Sequence, residues 1–303
     1  MSPRYCCIIP PIITPLTARD TLDVAGLERL VERLIAGGVS GLFALGTTGE
    51  APSLSYRLRR EVVEQTCRLV RGRIPVLVGI TDTSLVESAR FAAHAAEHGA
   101  DAVVTSAPFY FPAGQPELRE FLEDLLPELP LPLMLYNMPA LTKTSFSREV
   151  VTWALDQERI VGLKDSSGDL VYFRKMRHLA ETARPDWSFL VGPEELLAEV
   201  VLLGGQGGVC GGANLHPTLY VELYQAAKAG DLARTRELSA KVLALSEAIY
   251  QVGKHGSAII KGLKCSLSIL GICDDFMAAP FHRFHESERR VIARNLEVLG
   301  IVA

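Results

Sequence analysis

Residues 102–136 read AVVTSAPFYFPAGQPELREFLEDLLPELPLPLMLY. A short apolar run, Ala102–Ser106, leads into a loop bearing Pro and Gly. A helical pattern over Gln115–Leu126 follows, and then a second apolar run, Pro132–Tyr136. Both runs are close to continuously apolar rather than alternating, as strands covered on both faces of a parallel sheet are. Parallel neighbours need a long crossover, which the helical stretch supplies.

The same unit recurs in both directions. Further runs lie at Cys6–Ile9, Gly41–Leu45, Pro75–Ile80, Ile160–Lys164, Ser188–Val191 and Gly207–Gly211. Between them Asp23 can cap a helix carrying Leu27, Leu30, Val31, Leu34 and Ile35, which Gly37-Gly38 ends. Ser55 opens a second helix that runs to about Arg71, and Thr83 a third that Gly99 stops. Ser147–Leu155, Asp169–Ala183, Pro193–Leu203 and His216–Lys228 complete eight. Eight strand–helix units in roughly 225 residues predict an α/β fold of the (β/α)8 barrel type. The rival is a doubly wound open sheet, whose dinucleotide form wants G-x-G-x-x-G after the first strand. Here that strand leads into PPIITPLT, which has no glycine. From Ala229 onward the pattern is helical alone, over Leu232–Gln251, Ser257–Leu270 and Ser287–Leu299. The expected organisation is a catalytic barrel over 1–228 and a C-terminal helical extension over 229–303.

Composition removes several function classes. A 303-residue chain that is 48% hydrophobic can bury a large core. Its net charge of -4, with acids and bases mixed along the chain, gives no nucleic-acid footprint. The apolar stretches are strand-length and interrupted, too short to span a membrane. The first residues, MSPRYCCIIPP, carry one Arg and an apolar run too short for a signal peptide. Six cysteines, at 6, 7, 67, 210, 265 and 273, form no C-x-x-C. They read as reduced thiols of a cytoplasmic protein.

In such a barrel the chemistry sits at the C-terminal ends of the strands. The second run ends in Gly46-Thr47-Thr48-Gly49-Glu50, the fourth leads into Pro108-Phe109-Tyr110, the fifth ends Tyr136-Asn137, the sixth ends Lys164-Asp165-Ser166-Ser167, and the eighth is the glycine-rich GGVCGG. Lys164 follows Val161-Gly162-Leu163, so its amine would project from an apolar strand into the barrel mouth. Desolvation disfavours the charged amine there, which suits attack on a ketone to form an imine. An isolated lysine at a strand end more often snorkels. Tyr136 on the adjacent strand changes the balance, because a phenol there can pass protons to and from an imine and a substrate oxygen. By itself Tyr136 would read as a rim tyrosine with a satisfied hydroxyl. Successive amides in the Gly-bounded Thr47-Thr48 turn can cradle a carboxylate, and a threonine hydroxyl can relay a proton to the tyrosine. Read singly, the turn is an ordinary strand-to-helix connection. Converging on one mouth, these residues point to Schiff-base chemistry.

With these motifs in view, the sequence resembles the dihydrodipicolinate synthase / N-acetylneuraminate lyase family of class I aldolases. The resemblance runs from PPIITP through the C-terminal helices and rests on GTTGE at 46–50, PFY at 108–110, YN-x-P at 136–139 and GLKDSSGD at 162–169. It implies that Lys164 is the Schiff-base lysine, Tyr136 the proton shuttle and Thr47 its hydrogen-bond partner. It implies that Thr48 holds the pyruvate carboxylate, that Gly46 is substrate-binding and that the Val209 carbonyl faces the substrate. It implies that Tyr110 enters a neighbouring subunit's site in a homotetramer built as a dimer of dimers. The implied substrates are pyruvate and a small aldehyde or 2-oxo acid, with no cofactor.

The resemblance also bears on the second substrate. The family's synthases carry an arginine five residues after the strand-five tyrosine, where it binds the carboxylate of aspartate semialdehyde. This chain has Leu141 there, with Lys143 two residues on as a partial substitute. The PAL segment is similar to the sialic acid lyase branch, and Glu194 stands where that branch has an acidic sugar-binding residue. Pro193 and Gly211 stand where that branch has polar groups. The reading is therefore a lyase for another hydroxylated 2-oxo acid. A dihydrodipicolinate synthase, a dehydratase for a 2-oxo-3-deoxy sugar acid and a non-catalytic barrel protein are the alternatives. His94 and His98, four apart, and His282 and His285, three apart, could each hold a metal. No third ligand at matching spacing accompanies either pair, so no metal site is expected and a metal-dependent aldolase is disfavoured. The GGQGGVCGG stretch reads as close backbone approach by substrate rather than a phosphate cradle.

Overall fold

The computed structural model describes residues 4–301. Eight parallel strands form one sheet: β1 (Cys7–Ile8), β2 (Leu42–Ala44), β3 (Val76–Gly79), β4 (Ala102–Ser106), β5 (Leu133–Asn137), β6 (Ile160–Asp165), β7 (Ser188–Val191) and β8 (Gly207–Gly208). From β2 to β8 each pairs with its sequence neighbour, and β1 pairs with β8. The last gap closes just beyond β1, where Ile12 N–H donates to the Phe43 carbonyl and Phe43 N–H to the Pro10 carbonyl. The result is the (β/α)8 barrel expected from the alternation.

The crossovers are α1 (Val24–Ala36), α2 (Tyr56–Val70), α3 (Leu85–Glu97), α4 (Gln115–Leu125), α5 (Arg148–Leu155), α6 (Leu170–Ala183), α7 (Leu197–Leu202) and α8 (Pro217–Ala229). Their starts follow local chemistry. Asp23, Ser55, Ser147 and Asp169 each accept a hydrogen bond from a first-turn amide, a cap worth about 1 kcal/mol. The third helix is capped by Ser84 rather than Thr83, because Ser84 N–H donates to Asp82 and its hydroxyl takes the Glu87 amide. The predicted helix over Pro193–Leu203 divides into a 3-10 turn, Glu194–Leu196, and the short α7. A two-stranded hairpin, Leu16–Ala18 with Thr21–Leu22, precedes α1 and was not foreseen.

Apolar side chains sort into two cores, as the pleat requires. Ile9, Phe43, Leu77, Val104, Met134, Tyr136, Leu190 and Val209 fill the barrel interior. The larger cluster lies between the strands and the outer helices. The helices α9 (Leu232–Tyr250), α10 (Ala258–Ile269) and α11 (Glu286–Val298) add Leu238, Val242, Leu263 and Ile292 to that outer cluster. No helix of the described chain is long and apolar enough to cross a membrane.

Candidate active site

Register alone brings two of the predicted residues together. Across β4 to β7, Ser106 lies opposite Tyr136, Tyr136 opposite Lys164, and Lys164 opposite Leu190. Lys164 and Tyr136 are both buried. The Lys164 ammonium stands 4.0 Å from the centre of the Tyr136 ring and 5.0 Å from that of Phe43. Phe43 meets Tyr136 edge to face at 6.3 Å, which fixes the phenol from the barrel interior. The Tyr136 hydroxyl is 3.2 Å from Thr47 Oγ1. Burial by itself would push the Tyr136 phenol up. The Lys164 charge and hydrogen bonds from Thr47, Ser166 and Lys164 outweigh it and hold the phenol below its ordinary value. A buried tyrosine that gives up its proton more readily, beside a lysine amine, can serve as acid and base in turn.

Thr47 is delivered by a strained turn. Leu45 and Glu50, which flank it, have φ of 58° and 57°. A non-glycine residue there costs on the order of 1–3 kcal/mol, so the surroundings must hold it. Gly79 permits the Leu45 conformation, because a Cβ at 79 would sit 2.2 Å from the Leu45 carbonyl oxygen. The Thr14 hydroxyl donates to the Gly49 carbonyl at 2.7 Å. Glu50 is anchored more strongly. Its carboxylate accepts the Ala278 amide at 2.9 Å and pairs with Lys264, whose ammonium also donates to the Phe276 carbonyl at 2.8 Å. Lys264 is 0% exposed. Burial, opposed by Glu50, pushes its ammonium below the ordinary lysine value. The C-terminal helices thus fasten the catalytic turn. Within it, the amides of Thr47, Thr48 and Gly49 donate to no other group among the described residues. Three such amides in one turn suit a carboxylate.

A cavity of about 220 Å³ opens beside Ser106 and Tyr136; Lys164, against the Tyr136 ring, is not part of its lining. Its lining includes Gly46, Thr47, Thr81, Ser106, Tyr136, Leu141 and Thr142, with Phe43 and Phe109. Among the described residues no lysine or arginine lines it, and Lys143 turns its ammonium back onto the Ala140 carbonyl at 2.7 Å. Val209 is buried in the barrel interior core. A larger cleft, of about 720 Å³, lies between the early hairpin and residues 276–282, away from Lys164 and Tyr136.

Two predicted residues stand apart. Tyr110 is 94% exposed with φ 74°, and Phe111 beside it is 84% exposed. Within one chain they reach no part of the cavity. Glu194 is bound within the protein. It does not line the cavity; both carboxylate oxygens are consumed inside the protein, by the Gly212 amide at 2.8 Å, the Tyr220 hydroxyl at 2.5 Å and the Tyr250 hydroxyl at 2.8 Å. Burial pushes its carboxyl up to about 7, against the lowering effect of those three donors. It ties the strand-seven end to the strand-eight loop, α8 and α9.

The sequence reading missed Ser106, Thr81 and Ser166. Ser106 and Ser166 were legible as strand-end hydroxyls next to named positions, whereas Thr81 belongs to a strand end that carried no motif. It also missed a third donor beside His94 and His98. Glu64, from α2, brings a carboxylate oxygen within 4.8 Å of a ring nitrogen of each. Among the described residues His282 and His285 gather no comparable set.

Known proteins resemble this chain over nearly its whole length. A model of the "Dihydrodipicolinate synthetase family" matches residues 5–299. Among curated relatives, the probable 2-dehydro-3-deoxy-D-pentonate aldolase YjhH of Escherichia coli (strain K12) is 35% identical over 259 residues, covering 85% of this chain and 86% of its own. Among solved structures, dihydrodipicolinate synthase from Bacteroides thetaiotaomicron is 55% identical with a TM-score of 0.95, covering 98% of this chain and 100% of its own. The E. coli K12 prophage protein YagE, solved in complex with pyruvate, has a TM-score of 0.92 at 29% identity, covering 98% of this chain and 99% of its own.

Proposed function

This chain belongs to the dihydrodipicolinate synthetase family, and on that premise we propose that it cleaves or forms a hydroxylated 2-oxo acid at its pyruvate end. It is a lyase of the class I aldolase type. In the proposed cycle the Lys164 amine adds to the substrate ketone, and loss of water leaves an iminium. That iminium draws the electron pair of the C3–C4 bond as Tyr136, ionised, takes the proton of the C4 hydroxyl. An aldehyde leaves and an enamine remains. Protonation of the enamine carbon and hydrolysis of the imine release pyruvate and restore the lysine. Synthesis is the same path reversed. Thr47 relays the Tyr136 proton, and the Thr47–Gly49 amides hold the 2-oxo acid's carboxylate, with Val209 in the strand-eight wall behind it.

One observation carries the choice of second substrate. The cavity offers the hydroxyls of Thr47, Thr81, Ser106, Tyr136 and Thr142, with Leu141 among them and, once Lys164 is committed to the imine, no cation left to meet a second carboxylate. A neutral polyhydroxylated chain satisfies such a wall, whereas a second carboxylate would be buried without its charged partner. Losing one charged hydrogen bond costs about 1.5–3 kcal/mol, roughly tenfold to more than a hundredfold in specificity. The runner-up is the synthase reaction with aspartate semialdehyde, favoured by the 55% identity to the Bacteroides thetaiotaomicron structure. Steady-state kinetics separates them. The kcat/KM for a 2-dehydro-3-deoxy sugar acid should exceed that for aspartate semialdehyde plus pyruvate at least tenfold. A value of about 10⁵ M⁻¹s⁻¹ with aspartate semialdehyde, ordinary for a native substrate, would overturn it.

The same proposal includes a homotetramer and the division of the chain into a catalytic barrel over 1–228 and a helical extension over 229–303. The exposed Tyr110-Phe111 pair supports the first: two large aromatic side chains in water suit insertion into a neighbouring protomer. The change from strand–helix alternation to helices alone supports the second.

A further inference from the structure

We propose that Glu64, His94 and His98 form a zinc site that staples α2 to α3, outside the lyase chemistry. His94 sits in the last turn of α3 and His98 caps it. One helical turn apart, their rings share a face, with centres 4.3 Å apart. Glu64 reaches them from α2. Its Oε1 lies 3.6 Å from His94 Nε2 and 3.7 Å from His98 Nε2. These separations are too long for hydrogen bonds. They fit two vertices of one tetrahedral ion, since zinc bonds of about 2.0–2.2 Å place neighbouring ligands roughly 3.4 Å apart.

The surroundings hold the donors in that arrangement. His98 Nδ1 is 2.9 Å from the His94 carbonyl, so Nδ1 carries the proton and the Nε2 lone pair is left on the Glu64 side. A ring nitrogen donating to a backbone carbonyl is the usual partner arrangement of a metal-bound histidine. His94 stacks on Phe91 at 5.9 Å and 24°, which fixes its ring. The His94 Nε2–H donates a long hydrogen bond to the Arg60 carbonyl at 3.3 Å, which zinc would replace by taking the Nε2 lone pair of the other tautomer. A cation between the three donors satisfies all of them at once. Two imidazoles and one carboxylate select a borderline ion such as zinc over calcium or magnesium, which take oxygen ligands. None of the three residues lines the cavity beside Tyr136, so the ion's role is to join two outer helices.

The test uses the full chain without an affinity tag, stripped with EDTA and dialysed, then titrated with zinc chloride by calorimetry. One saturable zinc per chain is expected, together with a rise in the thermal midpoint. Glu64→Gln and His98→Ala, both surface changes whose folding is checked by circular dichroism, should weaken binding at least about tenfold. Cys6→Ser/Cys7→Ser, which removes the adjacent thiols where β1 begins, should leave it unchanged. Absence of saturable binding overturns the proposal. So does binding that survives both Glu64→Gln and His98→Ala, or binding lost with the cysteines. Borohydride trapping of pyruvate in the same variants should be undiminished, which keeps this test independent of the lyase reading.

Discussion

Replacing Lys264 by Met tests how the C-terminal helices hold the catalytic turn. The side chains of Lys264 and Glu50 are 0% and 1% exposed. Removing the ammonium strands a carboxylate in the interior with the Ala278 amide as its remaining donor, and frees the Phe276 carbonyl from its partner. Breaking a buried pair from one side costs about 3–5 kcal/mol, a large share of the 5–15 kcal/mol that ordinary domains possess. The double variant Glu50→Gln/Lys264→Met removes both charges and should regain most of that loss, since replacing a whole buried pair is often close to neutral. Urea unfolding of the two single variants and the double variant gives the coupling energy directly. The relaxed turn should also raise the pyruvate concentration needed for half-maximal trapping, because the amides of Thr47 and Thr48 lose their frame. If Lys264→Met costs less than about 1 kcal/mol and leaves pyruvate capture unchanged, the anchoring argument is wrong.

Tyr136→Phe should lower turnover by about 100- to 10,000-fold, the range of a general acid–base group, with the fold intact by circular dichroism; undiminished turnover contradicts the role. Glu194→Gln should alter the dependence of stability on pH. The folded carboxyl titrates near 7 against a reference of 4.5, so its stabilising contribution is full below about 4.5 and lost as pH rises toward about 7. At 1.36 kcal/mol per unit the swing is on the order of 3 kcal/mol. Urea midpoints at pH 5 and pH 8 should therefore shift in the variant's favour at the higher pH, and an equal difference at both values would refute the assignment. Diluted protomers should lose activity before they unfold if Tyr110 completes a neighbouring site; fully active monomers by analytical ultracentrifugation and assay would refute that.

Elements built from local periodicity were legible in the chain. Ala102–Ser106 and Ser188–Val191 match their strands residue for residue, because continuous apolar runs between polar turns leave little latitude. Strand eight shrank to Gly207–Gly208, since a glycine run carries no side-chain pattern to mark its end. Lys164 and Tyr136 were legible as strand-end residues, and register did the rest. Long-range pairings were not. Glu50 meets Lys264, Glu194 meets Tyr250 and Glu64 meets two histidines of the next helix, and no spacing rule links residues that the fold alone brings together. The partners of Glu194 were hidden for that reason: an acid at a strand end reads as a substrate ligand, and only the fold brings the tyrosines of α8 and α9 to its carboxylate.

The central claim is covalent capture of pyruvate by Lys164. The protein is incubated with pyruvate and sodium borohydride, digested and weighed, beside the variant Lys164→Ala. One reduced pyruvate adduct per chain is expected, on the peptide containing Lys164, and none in the variant. No mass gain in the wild-type protein, or a gain that persists in Lys164→Ala, would contradict it.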